Sequence, residues 1–270
     1  MTTAQTCHAK IYQAHLVHTQ DDGQAITYID RHILHPVTSA QAFDGLRAAH
    51  RDIRRPEASF APHADIQAPN PIIAKLQETL DANAHDFHTA RFDPADFTQG
   101  FFHPGMTIAG HADDVASAGA FGALALCTTS AAAEHILATQ TILMTPAPVL
   151  CVTLEGSTAQ ITPAGLLAQL STTCGTTTLA EHTLEFHGAA LTEIDMPTRI
   201  NIAKHAATCG AGVLFPPDDV LFDYMRRLDF APAGRDWALA VEMWEAFQPD
   251  AGAKGDRQIT LDVQTATQVA

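Results

Sequence analysis

The stretch from Pro104 to Ile142 constrains the fold of this 270-residue chain more than any other. It opens with a short apolar run, Met106 to Ala109, that reads as a strand. A polar loop carrying His111, Asp113 and Asp114 follows. Next comes a small-residue segment in which Gly119 and Gly122 stand three apart, a spacing that lets another backbone approach closely. From Ala131 to Thr141, Ala132, Ile136 and Leu137 share a stripe that excludes Glu134 and Gln140, which suits an amphipathic helix. The order is strand, polar loop, close-packed small residues, helix.

The rest of the chain repeats this alternation. Residues 8–18 read as a first helix with Ile11, Ala14, His15 and Val17 on a partial stripe, and Ala25 to Asp30 as a buried strand. Thr38 or Ser39 is placed to cap a helix that holds Ala42, Phe43 and Leu46. Residues 71–82 fit a helix with Ile72, Ile73, Leu76 and Leu80 on one face. His85 and His88 would share a face if helical, but with Asp86 they precede Phe92-Asp93-Pro94 in a stretch that reads as a solvated loop. Val149 to Leu154 fits a strand, and Thr162-Pro163 opens a helix through Leu170. Further strands are expected at 184–188 and 258–263, and further helices at 196–209, from about 220 and at 237–247. The fold class is therefore α/β, with mainly parallel sheets covered by helices on both faces.

Composition bounds the function. Hydrophobic residues make up 46% and charged residues 17%, the profile of a globular chain with a sizeable core. The net charge of −15 argues against nucleic acid or an anionic membrane surface as partner, since both need a basic footprint. No apolar run approaches the length of a membrane span, and the N-terminus lacks the pattern of a secretory signal. Cysteines at 7, 127, 151, 174 and 209 form neither a disulfide framework nor a CxxC metal pattern, which suits reduced thiols in the cytoplasm.

Three segments carry a resemblance: Pro-Gly-Met-Thr-Ile at 104–108, Gly-Ala-Phe-Gly-Ala-Leu-Ala at 119–125 and Glu-His-Ile-Leu-Ala-Thr-Gln-Thr at 134–141. A fourth runs from Tyr28 to Arg47. On these the chain resembles the large subunit of 3-isopropylmalate dehydratase, within the aconitase superfamily. Where that family carries Gly-Asp-Ser-His-Thr, this chain reads His111-Ala112-Asp113-Asp114-Val115. The resemblance implies aconitase-like α/β/α domains at 1–146 and 147–270, with the cluster-binding third domain absent. The 28–47 segment is implied to be scaffold. In the family, an iron of the cluster binds the substrate hydroxyl and a carboxylate. Lacking the cluster motifs, this chain is expected to hold no iron–sulfur cluster. Exposure of the face that packs on the third domain implies a homo-oligomer or a partner subunit.

The candidate site follows from positions that carry active-site groups in the family. His103 is retained from such a segment, Ala64 and Asp65 align with a family strand ending in Asp-His, His63 lies two residues before Asp65, and His111, Asp113 and Asp114 replace the motif above. Arg199 aligns with a family arginine and is a candidate carboxylate receptor, with a salt bridge as the alternative. Ligands of α/β sheets bind beyond the carboxyl ends of the strands, so these loops are expected to converge. His63, His103, His111 and Asp113 suit a single divalent metal. The same groups suit metal-free acid–base catalysis, and a solvated acidic loop is the third possibility. Three functions follow: a cluster-independent lyase or isomerase acting on a small carboxylate-bearing molecule, a half-site subunit that needs a partner chain, or a small-molecule binding protein.

Overall fold

The computed structural model describes residues 4–63, 71–157 and 161–263. The chain begins with α1 (Cys7–His15), β1 (Leu16–Thr19), β2 (Ala25–Tyr28), β3 (Arg31–Ile33), α2 (Pro36–Ala48), β4 (Ser59–Pro62), α3 (Pro71–Asp86) and β5 (Ala90–Phe92). It continues through β6 (Thr107–Gly110), α4 (Ala112–Val115), β7 (Leu124–Cys127), α5 (Ser130–Thr139), β8 (Thr141–Met144), β9 (Val149–Glu155) and α6 (Pro163–Cys174). It ends with α7 (Thr176–Glu181), β10 (Thr183–His187), α8 (Met196–Thr208), β11 (Gly212–Leu214), α9 (Asp219–Met225), α10 (Arg235–Glu245) and β12 (Arg257–Asp262).

Two parallel sheets carry the architecture, one in the order β5-β4-β3-β6-β7 and one in the order β11-β10-β9-β12. A small antiparallel sheet, β1-β2-β8, stands beside them. Helices α2, α3 and α5 bury Phe43, Leu46, Leu80 and Leu137 in one apolar cluster with Ala61 of β4. The larger cluster runs without a break from Ile33 and Phe121 to Leu150, Phe186 and Phe215, so the two parallel sheets share one core.

The two sheets meet at Gly119. The Phe215 N–H donates to the Gly119 carbonyl at 2.9 Å. A Cβ at Gly119 would lie 1.7 Å from the Val213 carbonyl oxygen, so glycine alone permits the approach. The glycine pair in the sequence signalled this contact.

A second tie joins the N-terminal helix to the second parallel sheet. Glu185 of β10 is fully buried and accepts the Cys7 and His8 N–H groups at 2.9 and 2.8 Å, a carboxylate against the positive end of α1. His187 Nε2 lies 3.1 Å from Glu185 Oε1 without the direction of a hydrogen bond, so the attraction is Coulombic. Burial pulls the His187 pKa down, but contacts with Cys151 and Glu185 outweigh it and raise it to about 9.

Some elements differ from the sequence reading. The first helix ends at His15, and Leu16–Thr19 pairs with β2 as an exposed edge strand. Helix α2 begins at Pro36, earlier than a Thr38 or Ser39 cap allows, because proline suits the first helical turn. His35 is its cap, and Ser39 is buried inside it. Helix α3 extends to Asp86, which puts His85 on its exposed last turn. His88 follows in a left-handed conformation. Leu124–Cys127 is a strand, not part of the small-residue segment.

Two outcomes are expected. Gly119→Ala forces the sheets apart and lowers stability by about 3 kcal/mol, the upper end for overpacking, as measured by urea unfolding. The His187 pKa is higher folded than unfolded, so its stabilisation is complete below its ordinary value of 6.5 and fades as pH rises through about 9. The wild-type melting temperature should therefore fall more steeply from pH 7 to pH 9.5 than that of His187→Gln.

Candidate functional site

In the five-stranded sheet the chain runs outward from β3 to β4 and β5, then returns to place β6 and β7 on the other side. The reversal falls between β3 and β6, and a crevice beyond the carboxyl ends of two such strands is where α/β sheets bind ligands. His35 follows β3 and His111 follows β6. Gly110 lets the two strand ends close, since a Cβ there would lie 3.1 Å from the Ile33 carbonyl oxygen and 2.8 Å from Val115 Cγ1.

Both histidines cap a helix in the same manner. His35 Nδ1 accepts the Val37 N–H at 3.2 Å at the start of α2, and the His35 N–H donates to Ser39 Oγ at 3.0 Å. His111 Nδ1 accepts the Asp113 N–H at 3.4 Å at the start of α4. Their rings stack with centroids 4.3 Å apart and planes 16° from parallel. Burial lowers the His35 pKa, and the neighbouring His111 lowers it further.

Asp114 completes the cluster from the single-turn helix α4. Its Oδ2 is buried without a hydrogen-bond partner. Burial raises its pKa to about 6 against the opposing pull of His111. One donor atom from each of His35, His111 and Asp114 lies within 4.8 Å of the others. Two imidazoles and a carboxylate in that space can exchange protons, bind the oxygen atoms of a small acid, or ligate one divalent ion.

The sequence-derived residues divide. His111 and Asp114 lie together with His35. Asp113 stands beside them with its side chain 86% exposed and Oδ2 3.7 Å from His111 Nδ1. His63 follows β4 at the same edge of the sheet and is exposed. Asp65 lies outside the described residues.

His103 departs from the expected site. It precedes β6 whereas His111 follows it, and a strand of this length separates its ends by about 10 Å. Its Nε2 donates to the Phe230 carbonyl at 3.1 Å, and its ring packs 5.6 Å from Trp244 of α10. Burial, with Arg31 nearby, lowers its pKa. His103 joins the strand entry to the C-terminal helices. Arg199 is likewise unavailable to a substrate. Its fully buried guanidinium grips Asp218 at 2.9 and 2.6 Å and donates to the Ile194 and Leu191 carbonyls at 3.0 and 2.8 Å.

His35 lies in the 28–47 segment, which the resemblance assigns to scaffold. The available signal was a histidine directly after an apolar run and before a helix start, Ile33-Leu34-His35-Pro36, which parallels Ala109-Gly110-His111-Ala112.

The cysteines do not fit a four-iron cluster, which needs several convergent thiolates. Cys7 caps into the Glu185 contact, Cys151 lies in the core of the second parallel sheet, and Cys127, Cys174 and Cys209 lie on separate elements. Among the described residues, the one group suited to a metal ion is the His35–His111–Asp114 cluster. A family model described as the aconitase family (aconitate hydratase) matches residues 9–269.

The Arg199–Asp218 pair predicts a stability phenotype. Arg199→Met leaves Asp218 without its partner and should cost about 3–5 kcal/mol in urea unfolding. Adding Asp218→Asn, which keeps a capping acceptor for the Leu221 N–H, should recover much of that loss.

Proposed function

Because the chain belongs to the aconitase family, we propose that it is a hydro-lyase or isomerase acting on a small hydroxy acid, with the crevice between β3 and β6 as its active site. The observation that carries the reading is the meeting of His35, His111 and a buried, unpartnered Asp114 oxygen at the reversal of strand order. Reversible loss of water beside a carboxylate needs a group to hold the departing hydroxyl and another to move the adjacent carbon-bound proton. The three-residue cluster holds the hydroxyl and carboxylate oxygens. His63 and Asp113 are the exposed titratable groups at the same edge of the sheet and serve the proton.

Within the family, we propose that this chain is related to the large subunit of 3-isopropylmalate dehydratase, on the segments at 28–47, 104–108, 119–125 and 134–141 that resemble it. Its activity does not depend on an iron–sulfur cluster held by its own cysteines.

The test is a panel of hydroxy di- and tricarboxylic acids and their unsaturated counterparts, followed by proton NMR in deuterated water. Turnover is expected to incorporate deuterium at the carbon beside a carboxylate. Asp114→Asn and His111→Asn should each reduce kcat/KM by about 100-fold or more, the range for losing one acid–base group. Undiminished turnover in both variants would remove the crevice from consideration.

A further inference from the structure

We propose that His35, His111 and Asp114 form a mononuclear site for a divalent transition ion such as zinc or ferrous iron, with the remaining coordination positions open to substrate. The proposal rests on the active-site reading above and adds the mode of binding.

The donor set is the first argument. Two imidazoles and one carboxylate suit zinc, iron or manganese, and three protein ligands leave room for a substrate oxygen. Their donor atoms already lie within 4.8 Å of one another. Ligands about 2.1 Å from an ion stand about 3.4 Å apart, so small side-chain rotations close the set.

The second argument is the state of Asp114. A buried carboxylate oxygen normally has a partner, and Oδ2 has none. The groups whose charges reach it are His111, which attracts, and Asp113, which repels. A divalent ion supplies the missing positive charge.

The third argument is the support behind the ligands. Each ring sits at the start of a helix directly after a strand, so sheet and helix fix its position. As the rings stand, Nδ1 accepts the helix N–H, which leaves the ring proton on Nε2. Ligation through either nitrogen therefore ends one cap bond per ring. Those bonds, at 3.2 and 3.4 Å, are long, so the loss is small. Ligation must also change the ring tautomer or its nitrogen environment, which gives a readout independent of activity. Bound, the ion would polarise the hydroxyl that leaves.

The experiment uses the full chain, stripped with chelator and dialysed against zinc or cobalt(II). The expected result is about one ion per chain, a cobalt d–d spectrum, and shifted ¹⁵N resonances of two histidines. His35→Asn, His111→Asn and Asp114→Asn should each weaken binding by about 100-fold. Asparagine preserves a helix-capping acceptor at the first two positions, and circular dichroism checks the fold of all three. Substoichiometric metal in wild type, or full metal retention in all three folded variants, overturns the proposal. Turnover that survives complete metal removal overturns the metal site and leaves the active-site reading intact. Stoichiometric metal at these residues with turnover unaffected by their substitution does the reverse.

Discussion

The contact between the Gly119 segment and the β11 backbone is the constraint on which this molecule depends. Two parallel sheets, each with its own helices, become one body because two main chains touch without an intervening side chain. The closeness lets apolar groups from both sheets fill a single core from Ile33 to Leu261. The turn Ala116–Phe121 that makes this contact follows immediately from α4, which carries Asp114. Asp114, the carboxylate of the histidine cluster, is thereby anchored to the joint between the sheets.

The meeting of His35 and His111 is a consequence of strand order. Parallel strands need crossover helices, and those helices start at the carboxyl edge. Where the order reverses, the first turns of two helices on opposite faces come side by side. Here those turns are capped by His35 and His111, so the residues that begin the helices also form the cluster. The imidazoles that cap the helices are thus the ones that stack on each other. Nδ1 accepts the helix N–H, which leaves the ring proton on Nε2.

Buried charge elsewhere in the chain serves the architecture. Arg199 and Asp218 hold α8 to the start of α9, and Glu185 anchors α1 through two N–H groups. Both are as deeply placed as catalytic groups often are, yet their polar atoms are occupied by partners within the fold. Asp114 Oδ2, by contrast, is buried without a hydrogen-bond partner in the fold.

Much of this was legible in the residues. Alternating strand and helix patterns identified the α/β class, the Thr162-Pro163 helix start and the strand at 149–154, because burial on one face imposes a period on the sequence. The glycine spacing announced a close backbone approach, and the motif replacement at 111–115 pointed to His111 and Asp114. Which distant groups would meet them required the tertiary structure. His103 stands eight positions before His111 and was expected beside it, but the intervening strand carries the two to opposite ends of the sheet. His35 is far from His111 in sequence, and the parallel pairing of β3 with β6 stacks their rings. Local patterning determined what each segment becomes. Strand order and direction, which no local pattern records, decided which side chains share a site.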